Sequence, residues 1–223
     1  MHLRKLALTA PAVPLAAALA ALALTAVAPR PAAAAETVLR LDPAATAVSF
    51  EVPATGHDVH GLLRLASGEV RFDPATGKAA GTITVDARSA ETGNGSRDET
   101  LHQKVLESEL FPSFVFTADR VEGTVPAAGK GAITLHGTMR IHGQDHRMVL
   151  PAEVEVRGGE VTAATTFDVP YVEWGMHNPS ILMLRVADSV AVTVHAEGSL
   201  AVEAAGAPAG AGEAEAGSGA GGR

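Results

Sequence analysis

The chain has no cysteine in 223 residues, so disulfides are excluded as staples and the fold must rest on its own core. Aromatics are scarce, with six Phe, one Tyr and one Trp. Any internal ligand space must therefore be lined mainly by aliphatic side chains, which suits a lipid tail better than a planar aromatic cofactor. Basic residues are in deficit: 17 Lys and Arg against 25 Asp and Glu give a formal charge of −8. That balance argues against non-specific nucleic-acid binding. Catalytic signatures are also missing. The sequence holds no thiol, no serine in a nucleophile-elbow pattern, no Gly-rich phosphate loop opening a helix, and no H-E-x-x-H zinc pattern.

A long apolar run is present at the N-terminus. "MHLRKLALTAPAVPLAAALAALALTAVAPRPAAAAE" joins a basic start (Arg4, Lys5) to an Ala/Leu-rich stretch and an A-x-A-like end, the layout of a secretory signal peptide over residues 1–35. The run from Leu6 to Ala28 is also long enough to span a bilayer, but Pro11, Pro14 and the small-residue end favour cleavage. Three basic residues and no acidic one lie in this segment, so its removal takes the formal charge from −8 to −11. The expected location is secreted, in the periplasm or outside the cell. Residues 204–223, rich in Ala, Gly and Glu without apolar periodicity, read as a disordered tail. One domain over 36–203 remains.

Within it, apolar residues alternate with polar ones. "TAVSFEV" places Val48, Phe50 and Val52 on one face, and the pattern recurs in Val70 and Phe72, Ile83 and Val85, Phe114 and Phe116, Ile133 and Leu135, Met139 and Ile141, Phe167 and Val169, and Val190 to Val194. Turn signals such as "DPATGK", "HGQDH" and "RGGE" separate these runs. About eight antiparallel strands with hairpin-length links predict an all-β closed up-and-down barrel or a sandwich, with the meander favoured.

One stretch differs. In "TGNGSRDETLHQKVLESELFP", Ser96 and Glu99 form an S-x-x-E capping box, so the helix is expected from Arg97 to about Ser108 with Ser96 as N-cap. Asp98, Leu101, His102 and Val105 then share one face. Such a helix lying across a barrel end would bury Leu101 and Val105 and leave Arg97, Asp98 and His102 near the mouth. Its first-turn amides and the Arg97 guanidinium suit a phosphate or carboxylate head group. A structural Arg97–Asp98 ion pair is the alternative.

The chain resembles the YceI-like family, secreted bacterial proteins with a lipocalin-like barrel implicated in binding polyisoprenoids. The resemblance is carried by "LDPAATAVSFEV", "GLLRLASGEVRFDPATGKAAGTITVDARSAETGN", "RDETLHQKVLESELFPSFVFTADRV", "GTMRIHGQDHRMVL" and "VADSVAVTVHAEG". Arg97, Asp98, Leu101, the Phe111-Pro112 pair, Phe114 and Phe116 are its most specific part. Two stretches depart from the family's pattern. "VPYVEWGMHNPS", with Trp174 and Gly175, stands where many members have an arginine and a Phe-Gly pair. Gln144, Asp145 and His146 stand where many have a Thr-Arg-Pro turn.

The resemblance implies an eight-stranded antiparallel lipocalin-like barrel with one short α-helix near its end. It also implies a binding protein, not an enzyme, that holds an isoprenoid-like or other long-chain lipid for transport, storage or stress protection, with no cofactor beyond that ligand. Phe50, Phe72, Leu101, Val105, Phe116, Phe167 and Trp174 are the expected apolar lining. By composition alone these aromatics fit a solid core equally well. Arg97, Asp98 and His102 are the expected head-group residues. A membrane cytochrome and a homodimer are further partners in view.

Histidines supply the competing reading, a metal-dependent enzyme at the mouth using His57, His60, His102, His142 or His146. With Gly143 to Asp145 as a three-residue turn, His142 and His146 become same-face neighbours across the hairpin. Asp98, one helical turn before His102, could orient its imidazole. Solvated or structural histidines are the default.

Overall fold

A computed structural model describes residues 35–204. The signal peptide expected over 1–35 and the tail expected over 204–223 lie outside these residues, save for positions 35 and 204.

The alternating runs form nine strands: β1 (Ala35–Leu41), β2 (Ala47–Val52), β3 (Val59–Phe72), β4 (Lys78–Glu91), β5 (Ser113–Gly123), β6 (Gly129–Ile141), β7 (Gln144–Arg157), β8 (Glu160–Val169) and β9 (Val190–Ala204). Every pairing is antiparallel. β1 and β2 both lie between β3 and β9: β1 pairs Thr37 with Phe72 and Val202, and β2 pairs Phe50 with Gly61 and Val192. They are two halves of one stave, split at Asp42, whose side chain accepts the Ala44 N–H and whose carbonyl accepts the Thr46 N–H. Asp42-Pro43 is the turn-forming dipeptide that causes the break. Counted by staves, the barrel has eight, each beside its neighbour in sequence, and the β3–β4 pairing closes the ring.

Closure pairs each stave with two neighbours, β7 meeting β8 only over Glu153–Arg157 and Glu160–Ala164. The pleat then sends one face of each strand inward. Val48, Phe50 and Val52, Ile83 and Val85, Ile133 and Leu135, and Val190, Val192 and Val194 all face the interior, as their period-2 spacing requires.

Between β4 and β5 the helix begins earlier than the capping box predicts. α1 spans Gly95–Thr100, and its N-cap is Asn94, with extended backbone and a side-chain oxygen accepting the Arg97 N–H at 3.1 Å. Asn caps as well as Ser does, and the residue two places earlier takes the role, leaving Ser96 inside the helix. Residues Leu101–Val105 then widen into a π-helical turn, closed by the Leu106 N–H on the Leu101 carbonyl at 2.8 Å. The regular helix expected to reach Ser108 is therefore half α and half π. The wider turn alters the spacing only of the residues that follow Leu101.

Candidate functional site

The interior holds a cavity of about 840 Å³, within the range of small-molecule sites. Its lining shows that the barrel is hollow. Phe50, Ile83, Phe114, Leu135, Phe167 and Val192 all point inward yet are only half-buried, because open space instead of packed atoms lies before them. Two glycines help keep it open. A Cβ on Gly61 would lie 2.1 Å from the Phe50 ring, and one on Gly137 would lie 2.4 Å from the Phe116 ring. Each ring lies flat over a bare stretch of wall instead of reaching into the lumen.

The two ends of the cavity differ. At one end its lining residues Val121, Val154 and Val161 are buried and Leu39 and Leu200 half-buried. At the other it reaches Thr55, His57, Lys104, His177, Ile181 and Leu184, all exposed. This second end is the mouth. It is built from the connections β2–β3, β4–β5, β6–β7 and β8–β9.

Of the residues expected to line the space, Phe50, Phe72, Leu101, Val105, Phe116 and Phe167 do so; Trp174 does not. Trp174 belongs to the buried cluster under the β8–β9 connection, with its ring stacked on His146 at 3.9 Å and 7°. Tyr171 and Met176 pack in the same cluster. Tyr171 donates its hydroxyl to the Ala187 carbonyl at 2.8 Å, and burial, with a smaller contribution from Asp188, pushes its phenol up to about 12.

The head-group candidates separate as well. Arg97 lines the cavity, and its Nε and Nη2 donate to the Thr92 hydroxyl (2.7 Å) and carbonyl (3.0 Å). Asp98 is not in the lining. Its carboxylate accepts the Thr92 hydroxyl and N–H at 2.5 and 2.8 Å. That hydroxyl bond, ahead of the backbone bond and the charges of Arg97 and His102, holds its pKa below the ordinary carboxylate value. Arg97 and Asp98 thus clamp the same residue, Thr92, instead of bridging each other. His102 is likewise outside the lining, with Nδ1 3.0 Å from Ser108 Oγ. Of the first-turn amides expected to meet an anion, those of Arg97 and Asp98 are already taken by the side-chain and backbone oxygens of Asn94.

Lys104 is the cation that the sequence reading missed. It stands three residues after Leu101 and seven after Arg97, on one helical flank with them, and the helix turns that flank to the lumen and the Asp98 and His102 flank away from it. Among the described residues, the charged groups of the lining are Arg97, Lys104 and the titratable His57 and His177; none is a carboxylate.

The histidines do not converge. The β6–β7 turn has two residues, not three, because Ile141 pairs with Gln144. This register puts His142 in the turn and opposes His146 to Met139. His142 Nε2 meets Glu107 at 2.7 Å with its ring on Phe111, His60 faces Glu51 at 3.4 Å on the exterior, and His57 sits exposed in the β2–β3 connection. Among the described residues, no group of three metal-ligating side chains forms.

Against known proteins, residues 39–198 match the model of the YceI-like domain, which is more than half of the chain. This chain belongs to the YceI-like family. No curated protein matches it. Among solved structures it is similar to BcnA of Burkholderia cenocepacia, at 19% identity and a TM-score of 0.60, over 70% of this chain and 98% of that one. It is similar also to a structure described as a polyisoprenoid binding domain from Saccharophagus degradans implicated in plant cell wall breakdown, at 13% identity and a TM-score of 0.56, over 72% and 97%. At these identities the likeness is one of fold.

The two stretches in which this YceI-like chain departs from the family's pattern meet in space. His146 carries Trp174, and Gln144 Nε2 lies 3.0 Å from where a Cβ on Gly175 would stand. Gly175, at φ +89°, leaves room for that amide.

Proposed function

We propose that this YceI-like chain is a lipid-binding barrel that takes the tail of an isoprenoid-like or other long-chain amphiphile into its lumen. An anionic head group is met at the mouth by Arg97 and Lys104. The observation that carries this reading is the half-buried apolar lining of the 840 Å³ cavity, in which the permanent charges are both positive. An apolar wall rewards tail burial at roughly 25 cal/mol per Å², and the carboxylate-free lining sets no acidic side chain against a phosphate or carboxylate entering beside the two cations. The Saccharophagus degradans structure described as a polyisoprenoid binding domain supports the same ligand class. Signal-like residues 1–35 support secretion, and with it a carrier or storage role outside the cytoplasm.

Native mass spectrometry of the purified protein, followed by solvent extraction, tests the reading. The expected result is a bound long-chain amphiphile in the wild type and its loss in Val192→Trp, which fills the lumen at mid-barrel. An empty wild type that also fails to take up added polyprenyl phosphate would overturn it.

A further inference from the structure

The β8–β9 connection carries a feature that folding does not explain. Ile181 and Leu184 form an isolated antiparallel bridge, bonded in both directions at 3.0 and 2.8 Å, so Leu182 and Met183 are the two central residues of a tight turn. Leu182 is 96% exposed and Met183 90%. Leu182 has φ +42°, a left-handed position that glycine or asparagine ordinarily takes and a bulky residue adopts only under strain. Leucine there is disfavoured twice, by backbone strain and by exposure.

The base beneath this tip is firmly held. Thr55 and Arg185 exchange bonds at 2.8 and 3.0 Å, the Val186 N–H reaches Ser180 Oγ at 2.8 Å, and the Ala187 N–H reaches the Pro53 carbonyl at 2.9 Å. The tip is thus held out on a braced base. Its flanks, Ile181 and Leu184, also line the cavity, so the lining reaches the base of the exposed turn.

We infer that the Ile181–Leu184 turn is a membrane-docking tip that inserts into the surface of a lipid bilayer and sets the cavity mouth on it, so that an amphiphile enters without crossing water. The inference rests on the lipid reading above for its choice of a bilayer over a protein surface. A surface that covers the tip and is continuous with the cavity must itself supply what the cavity takes. The attraction is apolar: the connections 53–58, 92–112 and 170–189 hold seven carboxylates against three permanent cations, Arg97, Lys104 and Arg185. Docking therefore works on zwitterionic lipid, and anionic lipid adds nothing to it.

The absence of cysteine makes the test direct. Met183→Cys in the full chain, labelled with an environment-sensitive nitrobenzoxadiazole dye, is mixed with phosphatidylcholine vesicles, and Ala127→Cys at the opposite end is the control. The expected result is a blue shift at 183 and none at 127. It should persist at high salt, be no larger on phosphatidylglycerol, and need about tenfold more lipid when Leu182→Asp is added. No shift at 183, equal shifts at both positions, or a shift that tracks protein concentration without vesicles, as between two copies of the chain, would each overturn the inference. Val192→Trp separates it from the cavity reading: that variant should lose bound amphiphile and keep the shift. An empty wild type that still shifts would leave docking standing and remove only the cargo.

Discussion

At one end of the barrel the connections are short, residues 73–77, 124–128 and 158–159; at the mouth they are 53–58, 92–112, 142–143 and 170–189. The short ones are ordered by their own sequence. Asp73 accepts the Ala75 N–H and the Thr76 hydroxyl, both at 2.8 Å, and Gly77 follows at φ +71°, an Asx turn closed by a glycine. Near that end, Arg40 and Arg71 reach Glu69 and Glu203 across three adjacent strands. The mouth is held instead by side chains of its longer connections: Thr92 with Asp98 inside the β4–β5 connection, Glu107 with His142 of the β6–β7 turn, and Trp174 with His146 of β7. Tight turns and ion pairs keep the ring in register at one end, which lets the other carry a helix, a long connection and the cavity opening.

Trp174→Ala strikes this contrast hardest. If the mouth connection is part of the core, the variant loses about 3–5 kcal/mol in urea unfolding; a loss under about 1 kcal/mol would make the mouth a mere appendage. Asp98→Ala comes next. It removes the acceptor for both Thr92 donors at a partly solvated site, so the expected cost, discounted for screening, is about 1 kcal/mol. Hydrogen exchange should rise across 92–105 and stay unchanged in 73–77.

Acid sharpens the contrast more gently. Asp98 at the mouth and Asp73 and Glu203 at the other end all have folded pKa values lowered by hydrogen bonds to their carboxylates. Groups of this kind add stability above their unfolded values, near 4, and lose it as pH falls through the lower folded values. The melting temperature should therefore drop below about pH 4, with a shallower slope in Asp98→Asn. Glu203→Gln should have the smallest effect, a slight fall in melting temperature that shrinks in high salt, as expected of a partly solvated ion pair. A fall undiminished by high salt would mean that packing, not charge, holds that end.

Much of this was legible in the residues. Alternation in Val48, Phe50 and Val52 and its repeats assigns the inward face of each strand, because the pleat turns over at every residue whatever the partner strand. "FDPATGK" announces its turn because the Asx geometry is local. The helix was legible as an element but not in detail: Asn94 and Ser96 are both competent caps, and nothing in "TLHQKVL" marks a π-helical turn. Leu101 and Val105 lie between two flanks, one with Arg97 and Lys104 and one with Asp98 and His102, and only packing against the barrel decides which of them meets the lumen. Trp174 was misassigned because an aromatic in a connection has no pleat to aim it.

By itself, then, the sequence determined a cysteine-free antiparallel meander, the inward face of each strand, the place of the helix and the family. Alternation is a property of the single strand and needs no partner to be read. Only the tertiary structure decided that the barrel is hollow. Inward Phe and Val satisfy the same pattern in a packed core, and only with the strands in register do the Phe50 and Phe116 rings come to lie against Gly61 and Gly137 at the wall. It also decided that the flank of Arg97 and Lys104 meets the lumen while the histidines scatter, since spacing along the chain sets which residues share a helical flank but not which flank faces the barrel.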